Sequence, residues 1–204
     1  MISTDKYTYI YISDHAQLVV GAIPPLAVLE SQLPPAEIEE VATFASEKRK
    51  RERLAWRAML REVLEIPPSV ERVVEYDKVG APHLINSPLH ISVSHSSTHV
   101  ALLISKNRCA VDIEPANRNC AKVKSRFISR DEEQIISSDL DLCRAWCTKE
   151  AIYKYAGAEG LSLLDDIRIK ESHANYFVAT FRGFQASLHV DSLLVEGLVV
   201  AYVA

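Results

Sequence analysis

The sequence predicts an α+β fold in which each half of the chain contributes a long helix and several antiparallel strands. Two observations lead to this class. Apolar residues recur with the helical period in two segments, at about residues 36–64 and 142–156. Short runs rich in Val, Ile and Tyr lie between and after these segments, bounded by turn residues, as is typical of strands. The 204 residues suffice for two halves of about 100 residues each.

The first half begins with a predicted strand at Tyr7–Ile12 and reaches a long helical segment at Ala36–Leu64. One apolar stripe at i, i+3, i+4, i+7 and i+8 marks this helix, formed by Trp56, Met59, Leu60, Val63 and Leu64. Proline pairs at 24–25 and 34–35 bracket a short segment before the helix, and the pair at 67–68 ends it. Further strands are predicted at Val70–Tyr76, Ile91–Ser94, Val100–Ile104 and Cys109–Glu114.

The second half opens with a polar, basic stretch that leads to a capping signal. Ser129 is followed three residues later by Glu132, which predicts the start of a short helix. A stronger helix is expected over Leu142–Ala156, ending at Gly157, because glycine favours the helix C-terminus. The remaining segments predict strands at Ile167–Lys170, Tyr176–Phe181, Gln185–Val190 and Leu198–Val203.

Composition excludes several classes of protein. The hydrophobic fraction is 48% and the net charge is −4, so we expect a globular protein that does not bind nucleic acid through its overall charge. No apolar run reaches the ~18 residues of a membrane span, and the N-terminus lacks the pattern of a secretion signal. The four cysteines form no C-x-x-C pair, which favours buried, reduced thiols and a cytoplasmic location.

Two acidic residues alternate along the predicted strand that contains Ala110-Val111-Asp112-Ile113-Glu114-Pro115. Side chains alternate between the faces of a strand, so Asp112 and Glu114 share a face, with α-carbons about 6.6 Å apart. This spacing lets both carboxylates reach one small cation. The alternative is a solvated strand face, which carries the same pattern.

The predicted second helix carries an acid and a base on one side, since Glu150 and Lys154 are i, i+4 neighbours. Two interpretations are open. The residues form a surface ion pair, or Glu150 is a third oxygen ligand of the cation and Lys154 binds a phosphate group. Mg²⁺ favours the second arrangement, because it is usually bound by a few carboxylates together with water and substrate phosphate.

Two further features of the sequence are suited to binding an anion. Ser94-His95 ends a short strand, where hydrogen-bond donors can converge. Basic residues also follow one side of the first long helix at i, i+3, i+7 and i+11, namely Lys50, Arg53, Arg57 and Arg61. Lys48, Arg49 and Arg51 add charge, whereas Glu47 and Glu52 offset part of it, so a solvated basic face is the alternative interpretation.

As a set, these segments resemble the 4′-phosphopantetheinyl transferases. The ordered signature consists of Ser94-His95, the V-D-I-E of residues 111–114, and W-x-x-K-E-x-x-x-K at residues 146–154. The chain is similar to the longer, surfactin-synthetase-activating type rather than to the short trimeric type, which implies a monomer. The resemblance extends from about Lys48 to Gly160. It implies two similar subdomains, here residues 1–105 and 106–204, related by a pseudo-twofold axis, with coenzyme A in the cleft between them.

The resemblance also implies roles for individual residues. Mg²⁺ would be held by Asp112, Glu114 and Glu150, and Ser94, His95 and Lys154 would contact the phosphates of coenzyme A. The 3′-phosphate would be bound by Lys48, Arg51 and Arg57, with Arg53 as an alternative. Gly80 and Pro82 match a G-K-P motif whose lysine is Ala81 here, so one phosphate contact is missing unless Lys78 replaces it.

The implied reaction moves the phosphopantetheine of coenzyme A onto a serine of an acyl or peptidyl carrier protein and releases 3′,5′-ADP. Glu150 is the candidate base, directly or through a water bound to the metal. We expect the carrier to dock on the basic stretch after Glu114, which contains Arg118, Lys122, Lys124, Arg126 and Arg130. If the segment is helical, Lys122, Arg126 and Arg130 would share a face, with Val123 and Phe127 beside them. The alternative is a connecting helix with a solvated basic face and with Phe127 buried in the core. Two alternatives are a metal-dependent phosphohydrolase and a non-catalytic module that binds coenzyme A or the carrier.

Overall fold

The computed structural model describes residues 1–4 and 6–204. The chain divides into two compact units. The first comprises Met1–Asp77 and Pro82–Asn107, and the second comprises Lys78–Ala81 and Arg108–Ala204. Both units combine an antiparallel sheet with helices, so the predicted α+β class is confirmed.

The first unit is built on a five-stranded antiparallel sheet with the strand order β1-β2-β3-β7-β6. The strands are β1 (Ile2–Ser3), β2 (Tyr7–Ser13), β3 (Ala16–Ala22), β6 (His90–His95) and β7 (His99–Ser105). A separate hairpin joins β4 (Val74–Tyr76) to β5 (Pro82–Leu84). Strand β3 lies in the middle of the sheet and is buried along most of its length.

Three helices belong to this unit: α1 (Leu26–Gln32), α2 (Pro35–Ala42) and α3 (Glu47–Val63). The apolar stripe of α3 packs with Val19, Val100 and Leu102 of the sheet to form the core. The prediction of one helix over Ala36–Leu64 was wrong, because the chain leaves the helix at Thr43 and starts a new one after Ser46. The Ser46 side chain accepts a hydrogen bond from the Arg49 amide, which is the usual N-cap contact.

A buried arginine, Arg61, connects α3 to α2 and to the segment that precedes the hairpin. Arg61 of α3 pairs with Glu37 of α2 at 2.6 Å and also donates to the carbonyls of Val70 and Glu71. These backbone groups are therefore bonded outside a sheet. The strand predicted over Val70–Tyr76 is correspondingly shorter and begins only at Val74.

The second unit contains another five-stranded antiparallel sheet, with the order β8-β12-β11-β10-β9. Its strands are β8 (Ala110–Pro115), β9 (Ile167–Ser172), β10 (Tyr176–Phe181), β11 (Leu188–Val195) and β12 (Leu198–Val203). One long helix, α4 (Asp139–Ala156), packs against this sheet. Gly157 ends α4 in the left-handed conformation (φ +58°), as predicted.

Two short 3-10 helices, Cys120–Arg126 and Glu132–Gln134, connect β8 to α4. The capping signal is partly confirmed: the Glu132 side chain accepts from the Ser129 amide at 2.8 Å, but the helix has only three residues. The basic face expected from the i, i+4 spacing is not formed in this way, because a 3-10 helix aligns residues i and i+3. Phe127 is fully buried in the core and therefore offers no surface contact.

No helix within residues 1–4 and 6–204 is both long enough and apolar enough to cross a membrane.

Candidate active site

The acidic residues of β8 point toward helix α4. In the ladder with β12, Asp112 pairs with Ala201 and Glu114 pairs with Val199. Paired residues of an antiparallel ladder lie on the same face, and Val199 and Ala201 pack in the core with α4. The two carboxylates therefore share the α4 face, as the alternation in the sequence predicted. Asp112 is buried, and Glu114, nearer the strand end, is partly exposed.

Each β8 carboxylate is paired with a cation of the same unit. The Lys154 ammonium lies 2.8 Å from Asp112 Oδ1 and also donates to the Val111 carbonyl at 3.0 Å. Glu114 forms a close ion pair with Arg118, whose guanidinium carbon lies 4.5 Å from the centre of the Trp146 ring. The sequence placed Arg118 in the basic stretch assigned to the carrier, and its pairing with Glu114 was not predicted. The available signal was its position four residues after Glu114.

Glu150 lies on α4 close enough to feel the charge of Asp112. Burial raises the pKa of the Glu150 carboxyl, and the negative charge of Asp112 raises it further. The positive charges of Lys154 and Arg118 act in the opposite direction. The site is thus a group of three carboxylates and two cations whose charges act on one another.

In the part of the chain that the structure describes, no three His, Cys, Asp or Glu side chains are grouped closely enough to hold a metal ion. Asp112 and Glu114 are instead paired with Lys154 and Arg118. The donor set nevertheless suits Mg²⁺. All three candidate ligands are carboxylates, and Mg²⁺ needs only one or two of them when water and substrate phosphate complete the shell.

Lys149 precedes Glu150 in the W-x-x-K-E motif but has a structural position. Its ammonium is fully buried and bonds Glu132 at 2.7 Å and the carbonyls of Leu163 and Ile167 at 3.0 and 2.8 Å. Three acceptors for three N–H donors satisfy the buried charge. Lys149 therefore fixes α4 against the following loop and does not face a ligand.

In the first unit, Glu52 brings two of the predicted phosphate-binding residues together. Glu52 Oε1 lies 3.6 Å from the Lys48 ammonium and 3.5 Å from His95 Nδ1. Glu52 itself is buried, whereas Lys48 and about half of the His95 side chain are exposed. Ser94 is buried and, by strand alternation, lies on the opposite face of β6 from His95. Glu52 was visible in the sequence only as an i, i+4 partner of Lys48.

The arginines that were predicted to bind the 3′-phosphate form hydrogen bonds within the protein. Arg51 donates to the carbonyls of Pro24 and Ile23 at 3.2 and 3.1 Å. Arg57 is buried and donates to both Glu40 oxygens and to the Tyr76 hydroxyl. A phosphate role for either residue stays a prediction, and it would require the guanidinium to exchange these partners.

The alternative candidate, Arg53, lies 4.5 Å above the Tyr76 ring and 3.6 Å from Glu40, with its side chain partly exposed. Gly80, in the turn between β4 and β5, adopts a left-handed conformation (φ +82°) that favours glycine, and Pro82 begins β5. The coenzyme contacts predicted for Gly80 and Pro82 stay predictions.

Carboxylates that can hold a metal ion and cations that lie beside them form a type of site that proteins use to bind and transfer phosphate groups. Residues 108–203 match the family model of the 4′-phosphopantetheinyl transferase superfamily. The match covers a little under half of the chain and includes Asp112, Glu114, Glu150 and Lys154. No curated protein matches the chain.

Proposed function

We propose that this protein transfers the 4′-phosphopantetheine group of coenzyme A to a serine of an apo acyl or peptidyl carrier protein, releasing 3′,5′-ADP. The proposal assigns it to the longer, surfactin-synthetase-activating type, acting as a monomer in the cytoplasm. The two subdomains of this type would be residues 1–105 and 106–204.

One observation carries the proposal: the group formed by Asp112, Glu114, Glu150 and Lys154 lies within the segment that matches the superfamily. A solvated strand face would leave the β8 carboxylates in water. Instead, Asp112 is buried against α4 and paired with Lys154. Burying a charged cluster at the end of a strand costs free energy, and such clusters occur at functional sites as well as in structural ion-pair networks.

Asp112, Glu114 and Glu150 would hold Mg²⁺. When bound, this ion neutralises negative charge on the pyrophosphate of coenzyme A. Lys154 is already positioned by Asp112 and supplies a further positive charge to the same phosphates.

The chain's own residues also prepare the nucleophile. The serine oxygen forms a bond to the β-phosphorus of coenzyme A, and the bond from that phosphorus to the bridging oxygen breaks. The bridging oxygen leaves with 3′,5′-ADP, and Glu150 accepts the serine proton directly or through a water. Rate acceleration depends on holding the hydroxyl in line with the bond that breaks.

The first unit contributes recognition of the coenzyme's 3′-phosphate. Lys48 and His95 are the best candidates because Glu52 holds both near one carboxylate oxygen and both remain accessible. The basic stretch after β8 is assigned to the carrier, since Lys122 and Arg126 are exposed and typical carriers are acidic.

The test is incubation of the purified protein with coenzyme A and an apo carrier protein, followed by intact-mass measurement of the carrier. We expect a Mg²⁺-dependent gain of one phosphopantetheine group, which is lost when the acceptor serine is replaced by alanine. A phosphohydrolase would leave the carrier unchanged and consume coenzyme A. A binding module would leave both unchanged.

A further inference from the structure

Arg118 is the best-anchored cation at the edge of the carboxylate group. Its amide donates to the Pro115 carbonyl at 2.9 Å, which forms the turn that follows β8. This turn directs the side chain back toward Glu114, with which it forms a close ion pair. About a third of the Arg118 side chain is exposed to solvent.

The Trp146 ring holds the guanidinium on its other side. The guanidinium carbon lies 4.5 Å from the ring centre, within the range of a cation–π contact. Trp146 is itself packed edge-on against Phe127 at 5.1 Å, and Phe127 is fully buried. The position of Arg118 is therefore set by core residues, unlike that of an ordinary surface arginine.

Electrostatics explains why a cation is placed there. Asp112 and Glu150 are close enough for their charges to repel, and Lys154 compensates the first of them. Arg118 compensates Glu114 and also lowers the pKa of Glu150. Together, the two cations keep the carboxylate group close to neutral when no ligand is bound.

We propose that Arg118 is the resident counter-ion of Glu114, and that a divalent cation must displace it to use this carboxylate. The inference rests on the proposed function, because it requires a metal at Glu114. Displacement leaves the guanidinium on the Trp146 ring, beside the site, where it can pair with a substrate phosphate.

A different role would give the opposite behaviour. Residues that hydrogen-bond a metal ligand commonly orient it, and their removal weakens metal binding. A competing counter-ion has the reverse effect, because its removal frees the ligand and also removes a positive charge near the incoming cation. Metal affinity therefore distinguishes the two roles without any measurement of activity.

The experiment measures Mn²⁺ binding by electron paramagnetic resonance on the full-length protein without coenzyme A. We expect Arg118→Gln to tighten Mn²⁺ binding roughly three- to tenfold, and Arg118→Lys to fall between this variant and the wild type. Arg182→Gln is the matched control, since it removes an equal charge at the exposed Arg182, which pairs with the largely buried Asp166. Thermal melting in EDTA checks that each variant is folded.

The outcomes separate cleanly. Unchanged or weaker Mn²⁺ binding by Arg118→Gln overturns the counter-ion role while leaving the metal site in place. Equal tightening by Arg182→Gln would attribute the effect to net charge and also overturn it. If the wild-type protein binds no Mn²⁺, both this inference and the metal-dependent part of the proposed function fail.

Discussion

Asp112 and Glu150 lie on different elements, strand β8 and helix α4, and each carboxylate changes the environment of the other. Asp112 is paired with Lys154 at 2.8 Å, whereas burial and the charge of Asp112 raise the pKa of Glu150. Two partly buried carboxylates that repel each other are stabilised by any cation placed between them. This is the physical basis for assigning both residues to Mg²⁺.

We predict that Asp112→Asn and Glu150→Gln each reduce kcat/KM for carrier modification by at least about a hundredfold, because each removes a carboxylate that would hold the Mg²⁺ ion. Both variants should remain folded, since the amides fill the same space. The control is Glu171→Gln, which changes an exposed carboxylate on β9. Near wild-type transfer by either site variant at saturating Mg²⁺ would show that the proposed metal site is wrong.

We also predict that coenzyme A binds more tightly than dephospho-coenzyme A, because Lys48 and His95 are proposed to contact the 3′-phosphate. Lys48→Ala and His95→Ala should each reduce the difference by about tenfold, the size of one charge-assisted hydrogen bond. Isothermal titration calorimetry measures both affinities. Arg49→Ala is the control, because Arg49 is an exposed cation of the same helix.

Equal affinity of the wild-type protein for the two coenzymes would show that the basic residues of α3 do not bind the 3′-phosphate. Lys48, Arg51 and Arg57 would then be interpreted as a solvated or structural charge cluster.

At the scale of elements, α4 carries the site because a buried charge network fixes its position. Glu132 accepts hydrogen bonds from the amides of Ser129 and Ile169, both at 2.8 Å, and pairs with Lys149. Lys149 in turn bonds the carbonyls of Leu163 and Ile167. The network connects α4, β9 and the segment before α4, so Glu150 and Lys154 are presented from a rigid helix.

We predict that Lys149→Met lowers the free energy of unfolding by about 3–5 kcal/mol, because it leaves the Glu132 charge buried without its partner. Urea denaturation monitored by circular dichroism measures this loss. Lys170→Met, at an exposed position on β9, should change stability by less than about 0.5 kcal/mol. A loss for Lys149→Met as small as that for the control would contradict a structural role for this lysine.

The 3-10 segment Cys120–Arg126 is the element that we expect to meet the carrier. Charge reversal by Lys122→Glu with Arg126→Glu should raise KM for the carrier about three- to tenfold and reduce its salt dependence. KM for coenzyme A should not change. Lys170→Glu tests whether any exposed charge reversal has the same effect, and a carrier KM that does not move would place docking elsewhere.

Some elements could not be predicted because their pattern depends on tertiary contacts. Strand β3 (Ala16–Ala22) is buried on both faces, so it lacks the alternation by which half-buried strands are recognised. Helix α1 (Leu26–Gln32) is short and has no side-chain cap, and it is anchored by the buried Leu29. In contrast, α4 has strong end signals at Ser138 and Gly157, and its C-terminus was predicted correctly.

For the molecule as a whole, the sequence sufficed for the α+β class and for the shared face of Asp112 and Glu114, because alternation and helical spacing are local properties. It did not reveal the long-range contacts of Arg118 and Glu52. Arg118 and Glu52 act through contacts with Trp146 and His95, which lie 28 and 43 positions away along the chain. Such pairs arise only when the elements pack, and no local pattern encodes them.

The most direct test of the central claim is the stoichiometry of the two products. Purified protein, coenzyme A and an apo carrier are incubated with Mg²⁺ or with EDTA, and 3′,5′-ADP and modified carrier are quantified together by chromatography and intact-mass analysis. We predict equal molar amounts of the two products with Mg²⁺ and neither with EDTA or with the Asp112→Asn variant. Release of 3′,5′-ADP with free phosphopantetheine and an unmodified carrier would contradict the account.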